Sequence, residues 1–446
     1  MKIDPKIFRA YDVRGTYPDQ MNEDSAYRIA KAYAKKINPK KVVVGQDLRE
    51  ASTNMKDAVI RGLTEMGVDV FDAGEMTNPM IGFAVFNYGY DGGIILSASH
   101  NPVGYGGMKM MKKNAVTIPG DDEDLISYAL QDLPNCKEKG KVEKIDIIDD
   151  YVKFVLTFID KNKLKKKKIL FDTTYGSVSL ILDKILNGLP VDKISLHDRP
   201  DKNFGGLPEP NPLNREVQQE AVELAKKERP DFAVMWDGDG DRVFFLDENA
   251  QFIPAPYTSA ALIKEIAKLY PNHSIVGDRR INWPLKKAAE ENGLKLLMSK
   301  SGYRFFKEVM GDNNSSFGAE MSAHYFFEKT KYMDNGIIPF LMMWQLVSQE
   351  GKKLSEIVRP YRANHFMIDE MKFPVEDIEK VNVEIKKKYS GGKLDEEDGV
   401  TIEFPDWRFN FRGSNTEPVA KLNLEARDEK LMLDKTQELK RIIESC

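Results

Sequence analysis

Short apolar stretches alternate with longer amphipathic stretches over most of this chain. The first part contains three predicted strands and two predicted helices, the first of which has Ser52 as its N-cap. The strands are 41–47, 68–74 and 92–97, and the helices are 52–66 and 78–88. Because helices separate successive buried strands, the pattern predicts a mostly parallel sheet with helices on both faces.

The same alternation continues twice more and then changes character. A second series starts near residue 149, with predicted helices at 149–159, 177–186 and 215–227 and strands at 169–172, 192–198 and 231–237. A third follows residue 252, with helices at 258–270, 284–291 and 337–349 and strands at 274–278 and 295–299. From about residue 363 the order is a strand at 365–373, a helix at 375–388, two or three strands up to 426 and a closing helix.

These series predict three doubly wound α/β domains followed by a smaller α+β domain. We expect the domains at 1–146, 147–250, 251–362 and 363–446, because polar or turn-rich segments interrupt the pattern near those bounds. The length of 446 residues agrees, since one core rarely organises more than about 250–300 residues.

The composition excludes several classes of protein but does not identify the function. A formal net charge of −4 gives no long-range attraction to nucleic acid or to an anionic membrane, so any phosphate must meet locally clustered cations. The two cysteines, Cys136 and Cys446, are far apart, which argues against a disulfide framework and a zinc site. The charged N-terminus and the lack of a long apolar run lead us to expect a cytoplasmic enzyme.

The segment 237–242, DGDGDR, lies between two apolar strands and is the sharpest local signal. Its aspartates, Asp237, Asp239 and Asp241, alternate with glycines, so their carboxylates can converge on one Mg²⁺ or Ca²⁺. An EF-hand loop is the alternative, because Glu248 stands at its twelfth position. However, Arg242 occupies the sixth position, where that loop requires glycine. The segment predicts a metal site of another kind.

The segment 97–102, SASHNP, follows a predicted strand and leads into a glycine-rich turn that ends at Lys109. Ser99 and His100 therefore stand at the carboxyl end of a strand, where α/β folds place reactive groups. Taken alone, the segment could be an ordinary turn. A serine together with a metal site suggests phosphoryl transfer, and no glycine loop typical of ATP-binding enzymes is present.

Three further segments carry polar side chains that suit a sugar phosphate. In 319–324, AEMSAH, Glu320, Ser322 and His324 alternate and can offer hydrogen bonds to vicinal hydroxyls, although a solvated edge strand has the same pattern. The segment 412–418, RGSNTEP, has the guanidinium, hydroxyl and amide groups of a phosphate nest. The segment 8–15, FRAYDVRG, reads by itself as a charged surface loop.

Together, these five segments resemble the α-D-phosphohexomutase family, in its phosphomannomutase/phosphoglucomutase branch. They occur in that family's order and approximate spacing from residue 8 to about 426. The resemblance implies four domains around a central cleft, each contributing one loop.

The resemblance also implies roles for individual residues. Ser99 is the phosphoserine and binds Mg²⁺ together with the three aspartates. The implied catalytic residues are Ser99, His100, Lys109, His324, Arg14 and Arg242, with Lys109 and His324 as general acid/base candidates. The implied substrate contacts are Glu320, Ser322 and His324 for the sugar, Arg412, Ser414, Asn415 and Thr416 for the phosphate that is not transferred, and Arg9, Tyr11 and Arg280.

The implied activity is interconversion of hexose 1-phosphate and hexose 6-phosphate through a hexose 1,6-bisphosphate, which also serves as activator. The implied partners are small sugar phosphates, with a monomer or homodimer as the assembly. Met321 favours mannose and glucose phosphates over amino sugars, since the amino-sugar mutases tend to have Gln there. Alternatives are a phosphoglucosamine mutase, a phosphomonoesterase that uses the same phosphoserine, and a non-catalytic sensor.

Four positions depart from the commonest family pattern. The segment 319–324, the sugar loop, begins with Ala319 where glycine is frequent. Arg280 stands where Lys is frequent, and Lys421 stands where Arg is common. Tyr303 stands where His is usual, which puts an acid/base role there in doubt. None of them removes the serine or a metal aspartate.

Overall fold

The computed structural model describes residues 3–414 and 419–445. The chain forms two compact units. Unit 1 combines Met1–Ile253 with His324–Leu354, and unit 2 combines Pro254–Ala323 with Ser355–Cys446. Among the described residues, no helix has both the length and the apolar character needed to cross a membrane.

The first sheet of unit 1 consists of seven strands, with four helices in the same part of the chain. The strands are β1 (Val13–Thr16), β2 (Lys41–Gln46), β3 (Asp69–Glu75), β4 (Gly92–Leu96), β5 (Tyr105–Lys112), β6 (Val116–Ile118) and β7 (Val142–Lys144). The helices are α1 (Glu23–Ile37), α2 (Glu50–Glu65), α3 (Asn78–Asn87) and α4 (Glu123–Ala129). The strand order is β1-β5-β4-β2-β3-β7, with β6 paired to β5.

The central strands of this sheet are parallel and buried on both faces. β2 lies between β3 and β4, and its apolar run Val42–Val44 is fully buried, as expected for a strand covered by helices on both sides. β5 runs antiparallel to β4, so the chain turns back directly after β4. Ser99 lies in this reversal.

One sequence prediction about this sheet is wrong. Ser52 is not an N-cap, because α2 begins at Glu50 and Arg49 occupies the capping position. Ser52 lies inside the helix and donates a 2.6 Å hydrogen bond to Asp47 Oδ1, which also accepts from the Arg49 backbone N–H. The carboxylate that follows β2 therefore satisfies the polar groups at the start of α2.

The second sheet of unit 1 has the strand order β12-β11-β10-β8-β9, in which β10, β8 and β9 are parallel and β11 returns antiparallel to β10. Its strands are β8 (Lys167–Asp172), β9 (Val191–Leu196), β10 (Phe232–Trp236), β11 (Val243–Leu246) and β12 (Phe252–Ile253). The associated helices are α5 (Ile148–Leu156), α6 (Leu182–Leu186) and α7 (Arg215–Glu228).

The single helix predicted at 177–186 is divided in the structure. A short 3-10 turn, Ser177–Leu180, precedes α6, and Ile181 between them has φ −125°, outside the helical region. The Ser177 N–H donates to the Gly238 carbonyl, and the Ser179 hydroxyl donates to the Gly176 carbonyl at 2.7 Å. The bond from Ser179 is local, the bond from Ser177 reaches a distant segment, and both compete with the helical ladder at this position.

The first part of unit 2 is a parallel α/β segment. It contains α8 (Ala255–Leu269), β13 (Ser274–Asp278), α9 (Trp283–Glu291), β14 (Lys295–Ser299), α10 (Tyr303–Asn313) and β15 (Phe317–Ala319). β13 lies between β14 and β15 and is parallel to both, so their carboxyl ends share one edge of the sheet.

The chain then re-enters unit 1 with β16 (Tyr325–Phe327) and α11 (Ile337–Glu350). Almost every residue of α11 is buried, which explains why its sequence is apolar all round. Phe340 of α11 packs edge-on against Phe171 of β8 and Trp236 of β10. This helix is therefore part of the core of the second sheet.

The C-terminal part of unit 2 begins after α12 (Leu354–Arg362) and is an α+β arrangement. Its elements are β17 (Phe366–Met367), β18 (Met371–Phe373), α13 (Ile378–Lys388), β19 (Lys393–Asp395), β20 (Val400–Glu403), β21 (Trp407–Gly413), β22 (Ala420–Ala426) and α14 (Glu429–Ser445). The strand order is β17-β22-β21-β20-β19, with β18 also paired to β22. The predicted strand 365–373 is divided, and Glu370, between the two parts, forms ion pairs with Arg280 and Lys421.

The alternation of β21 places its two sets of side chains on opposite faces. Trp407, Phe409 and Phe411 belong to the apolar core of this sheet, together with residues of α13 and α14. Arg412 therefore belongs to the other face. The predicted fold class, three α/β domains and a C-terminal α+β domain, is confirmed; the four domain bounds and the central cleft stay predictions.

Candidate active site

The metal-binding candidate is the connection between β10 and β11 in unit 1. Asp237, Asp239 and Asp241 are buried there, and one ligand oxygen of each lies within 4.8 Å of the others. Gly240 allows this convergence because its φ is +74°, and an added Cβ would lie 2.6 Å from Val178. The tight reversal between two antiparallel neighbours thus gathers three carboxylates at one point.

The chemistry of these carboxylates fits a hard divalent cation. Asp239 Oδ1 and Asp241 Oδ1 are buried and, within the part of the chain that the structure describes, accept no hydrogen bond. Burial and the charge of Asp241 raise the pKa of Asp237 to about 7. Such crowding of negative charge with unused oxygens is relieved by a cation with oxygen ligands, as Mg²⁺ and Ca²⁺ are.

Lys109 partly neutralises the aspartates. Its Nζ lies 2.8 Å from Asp239 Oδ2 and 2.8 Å from Asp241 Oδ2. Burial would lower the pKa of Lys109, but these carboxylates outweigh it and raise that pKa well above its usual value. The same ammonium outweighs burial at Asp241 and holds the pKa of that carboxyl well below its usual value. The ammonium of Lys109 and the two carboxylates therefore stabilise one another in the charged form.

Ser99 lies in the reversal after β4 and is held in an unusual backbone conformation. Its φ is +52°, the left-handed region, which costs a non-glycine residue about 1–2 kcal/mol. Its N–H donates to Ser97 Oγ at 2.8 Å, and Ser97 Oγ in turn donates to Asp239 Oδ2 at 3.1 Å. The Ser97 hydroxyl thus connects the backbone of Ser99 to the segment 237–242, which we call the metal loop.

His100 is the direct neighbour of the Ser99 hydroxyl. The distance from Ser99 Oγ to His100 Nδ1 is 3.2 Å. Burial, followed by the positive charges of Arg242 and Arg14, lowers the pKa of His100 well below its usual value. The imidazole is therefore neutral at physiological pH and can accept a hydrogen bond from the serine.

Arg14 and Arg242 bring guanidinium groups to the same region of unit 1. Arg14 Nη1 donates to Asn101 Oδ1 at 2.6 Å, and Arg14 also pairs with Asp12. Arg242 is buried and donates from Nε to Asp237 Oδ2 at 2.8 Å. Arg242 Nη2 is buried and has no hydrogen-bond partner among the described residues.

His324 completes this group in unit 1. Its backbone forms a bridge with Arg242, and its Nε2 lies 3.5 Å from Asp241 Oδ1 and 4.0 Å from Asp334 Oδ2. The structure thus brings the predicted serine, histidines, lysine, arginines and aspartates together in one unit. Arg9 and Tyr11 lie in the segment before β1, where the Arg9 backbone pairs with Asp12 and Asp121.

In unit 2, Arg280 is enclosed by carboxylates. It is buried, and its guanidinium contacts Asp278 at 3.0 Å, Glu370 at 3.2 Å and Glu320 at 3.3 Å. Burial opposes its charge, but these anions raise the pKa of Arg280 well above its usual value. Arg280, which the family resemblance implies as a substrate contact, is thus already paired with three carboxylates in this conformation.

The predicted sugar and phosphate loops are neighbours within unit 2. Glu320 accepts hydrogen bonds from the Gly302 N–H at 2.7 Å and from Ser322 Oγ at 2.7 Å. Ser301 Oγ donates to Glu320 at 3.3 Å and accepts from Arg412 Nη2 at 3.2 Å. Ser301 therefore connects the two loops.

The remaining predicted positions of unit 2 are partly described. Ser414 continues from β21, and its N–H donates to the Val419 carbonyl at 2.8 Å. Asn415 and Thr416 lie outside the described residues. Tyr303 begins α10, and Lys421 forms a 2.7 Å ion pair with Glu370.

Three domain profiles match this sequence. They are described as phosphoglucomutase/phosphomannomutase alpha/beta/alpha domains I, II and III, and they match residues 5–135, 149–250 and 256–363. A phosphomannomutase of Escherichia coli is 35% identical over 97% of this chain and 98% of the relative. This chain belongs to the phosphoglucomutase/phosphomannomutase family.

Other comparisons agree with this assignment. A protein of Xanthomonas campestris pv. campestris described as phosphohexose mutases is 34% identical, covering 98% of each chain. The crystal structure of a phosphoglucomutase/phosphomannomutase family protein from Burkholderia thailandensis has a TM-score of 0.89 and 25% identity, covering 99% of this chain and 98% of that one. The family predicted from the five sequence segments is confirmed.

Sequence reasoning missed several residues that hold this family's site in place here. Ser97, Asn78 and Arg49 contact the serine loop or the metal loop, and Ser301 joins Glu320 to Arg412. Ser97 belongs to the serine segment itself, so its alternation with Ser99 was a usable signal. The other three lie in segments with no chemical motif, and only the folded contacts show their positions.

Proposed function

We propose that this chain is a phosphohexomutase that interconverts the 1-phosphates and 6-phosphates of mannose and glucose through phospho-Ser99 and a hexose 1,6-bisphosphate. The observation that carries the proposal is the hydrogen-bonded link from the Ser99 N–H through Ser97 Oγ to Asp239. It places a serine loop beside three buried carboxylates, as a metal-assisted phosphoryl transfer requires.

Asp237, Asp239 and Asp241, together with the phosphorylated Ser99, would hold the metal, for which we propose Mg²⁺. When bound, Mg²⁺ supplies positive charge that neutralises the phosphoryl oxygens. The buried Asp239 Oδ1, which accepts no hydrogen bond among the described residues, supports this assignment.

The chemical step is a transfer in two directions. Phospho-Ser99 gives its phosphoryl group to the free hydroxyl of the hexose monophosphate. The bond from phosphorus to Ser99 Oγ breaks, a bond to the sugar oxygen forms, and the hydroxyl proton passes to a base. The bisphosphate then transfers its other phosphoryl group to Ser99 Oγ. The bond from phosphorus to the second sugar oxygen breaks, and the base returns the proton to that oxygen.

The charged groups around Ser99 suggest which residue has which role in the phosphoryl transfer. Lys109 and His324 are the general acid/base candidates, and the Lys109 ammonium, paired with Asp239 and Asp241, also places positive charge beside the serine loop. His324 Nε2 lies 3.5 Å from Asp241 Oδ1, so its imidazole is also close to the proposed metal ligands. The buried Nη2 of Arg242 is a donor for the transferring phosphoryl group. His100 keeps the Ser99 side chain oriented.

Substrate contacts are proposed from the resemblance and supported by the packing within unit 2. Glu320 and Ser322 are assigned to sugar hydroxyls, and Arg412 and Ser414 to the phosphate that is not transferred. Ser301 fixes Glu320 and Arg412 at a set spacing, as recognition of both groups of one ligand would require. Arg9, Tyr11, Asn415 and Thr416 remain assigned from the resemblance alone.

The test is a side-by-side measurement of kcat/KM for mannose, glucose and N-acetylglucosamine 1-phosphates, with Mg²⁺ and trace bisphosphate. We expect conversion of the first two to 6-phosphates and much slower conversion of the third, because Met321 stands where amino-sugar mutases tend to have Gln. Release of free phosphate in place of a 6-phosphate would identify a phosphomonoesterase and reject the mutase.

We also propose a cytoplasmic location and a monomer or homodimer. The two cysteines, which are far apart in the sequence and show no pattern of a disulfide framework, support the first proposal because they fit a reducing compartment. Light scattering of the purified protein measures the assembly directly.

A further inference from the structure

Arg49 lies between β2 and α2 and is 2% exposed. Its guanidinium donates to three backbone carbonyls of the serine loop. Nη2 reaches the Ser99 oxygen at 2.7 Å and the Asn101 oxygen at 2.5 Å, and Nη1 reaches the Pro102 oxygen at 2.8 Å. A buried arginine that donates to the carbonyls of three residues of one short loop holds the backbone of that loop in place, and we call this arrangement the clamp.

The guanidinium is itself held from two sides. Arg49 Nε lies 3.3 Å from Asp47 Oδ2, and the carboxylate of Asp47 also accepts from the Arg49 backbone N–H. The ring of Phe204 lies 4.7 Å from the guanidinium carbon. The ion pair with Asp47 and the contact with the Phe204 ring restrict the orientation of the guanidinium.

The clamp acts on the backbone conformation of Ser99. The N–H of Ser99 is bound by Ser97 Oγ and its carbonyl by Arg49, so both flanking peptide groups are fixed. Between them the residue keeps φ +52°, a conformation that an unrestrained serine leaves for negative φ. Since Cα and Cβ turn with the backbone, leaving this conformation would swing Oγ away from His100.

We propose that Arg49 is a positioning residue for the phosphoryl transfer: its three hydrogen bonds keep Ser99 in the left-handed conformation that aims Oγ, and the phosphoryl group on it, at the reacting hydroxyl. The inference rests on the proposed function. Arg49 contacts carbonyls of the loop, so its effect reaches the substrate only through Ser99.

The test compares Arg49→Lys with Arg61→Lys in the full-length protein with Mg²⁺. Arg61 is a matched control, because it lies on α2 and its guanidinium carbon is 4.9 Å from the ring centre of Tyr27. Turnover is divided by the amount of Ser99 that takes up a phosphoryl group from glucose 1,6-bisphosphate, so that unfolded molecules do not count. Amide hydrogen exchange reports on the segment 97–103 without any substrate.

Arg49→Lys should lower this normalised kcat about ten- to a hundredfold, since misplacement by about 1 Å can cost that much. KM for glucose 1-phosphate and the Mg²⁺ requirement should change less than about twofold, because Arg49 contacts neither in the proposed mechanism. Exchange should accelerate in 97–103. Arg61→Lys should leave all four readouts unchanged.

A normalised kcat within about twofold of wild type, or unchanged exchange in 97–103, would overturn the proposal. If Arg49→Lys does not fold, Ser97→Ala removes the other bond to the Ser99 peptide groups, and it must then accelerate exchange in 97–103 and lower the normalised kcat. If neither occurs, the idea that fixed peptide groups aim Ser99 is wrong. A wild type without mutase activity on any hexose phosphate would reject the proposed function, while the exchange comparison would still test the clamp.

Discussion

The side-chain amide of Asn78 donates a 2.9 Å hydrogen bond to Oδ2 of Asp241, although the two residues lie far apart in the sequence. Asn78 is the first residue of α3, and its backbone N–H donates to the Asp239 carbonyl at 2.8 Å. The start of α3 therefore orients two residues of the metal loop. Groups that orient metal ligands in this way usually matter for metal affinity.

Asn78→Ala should raise the Mg²⁺ concentration for half-maximal activity about ten- to a hundredfold, because Asp241 loses a partner that orients it. Activity titrated against Mg²⁺ measures this. Asp239→Asn, which removes a charge from the site itself, should be nearly inactive at any Mg²⁺ concentration. Asn87→Ala, at the exposed end of the same helix, should behave as wild type. An unchanged Mg²⁺ requirement in Asn78→Ala would show that the contact does not orient the ligand.

Arg412→Ala should raise KM for mannose and glucose 1-phosphates alike, with a smaller effect on kcat. In the proposed mechanism, the lost contact is to the phosphate that is not transferred. A charge-assisted hydrogen bond contributes about 1.5–3 kcal/mol, or roughly one to two powers of ten in kcat/KM. Steady-state kinetics measure it, and Ser99 should still become phosphorylated. Arg441→Ala, on the exposed side of α14, serves as the control. If KM does not change, another group must bind that phosphate.

From the contacts of His197 we predict that the stability of the fold depends on pH. Its Nδ1 lies 2.9 Å from Asp172 Oδ1 and its Nε2 lies 3.2 Å from Glu220 Oε2. Burial opposes the charge, but the two carboxylates raise the pKa of His197 above 6.5. The ion pairs therefore stabilise the fold fully below pH 6.5, and this stabilisation is lost as pH rises through the folded-state pKa.

His197→Gln should accordingly lower the thermal midpoint at pH 6 and lower it less at pH 9. The expected loss at pH 6 is about 1–2 kcal/mol, because the bond to Asp172 is buried while Glu220 is largely exposed and screened. Differential scanning calorimetry at the two pH values measures the difference. An equal loss at both would mean that the charge of His197 contributes nothing.

Hydrophobic patterning predicted the order and type of most elements, because those depend on neighbouring residues. The strands 274–278 and 295–299 agree with β13 and β14 to the residue. It failed at Ser52, because the hydroxyl bonds to Asp47 inside the helix start, and at 177–186, where the Ser177 N–H donates to the distant Gly238 carbonyl. Hydrophobic patterning registers neither hydrogen bond.

The residues of the candidate site also fall into two groups, those that the sequence could predict and those that it could not. Ser99, Lys109 and the three aspartates stand in short motifs whose chemistry can be inferred, and the structure brings them together. Arg49 and Asn78 act through contacts between distant segments, so no local pattern marks them. For the same reason, the sequence could not show how many carboxylates surround Arg280.

The central claim is that Ser99 carries the phosphoryl group. Intact mass of the protein after incubation with glucose 1,6-bisphosphate and Mg²⁺, followed by peptide mapping, tests it directly. We predict the added mass of one phosphoryl group, located on Ser99, lost again when excess hexose monophosphate is added, and absent from Ser99→Ala, which should also lose its turnover. A phosphoryl group on another residue, or a Ser99→Ala variant that retains near-full turnover, would contradict the account.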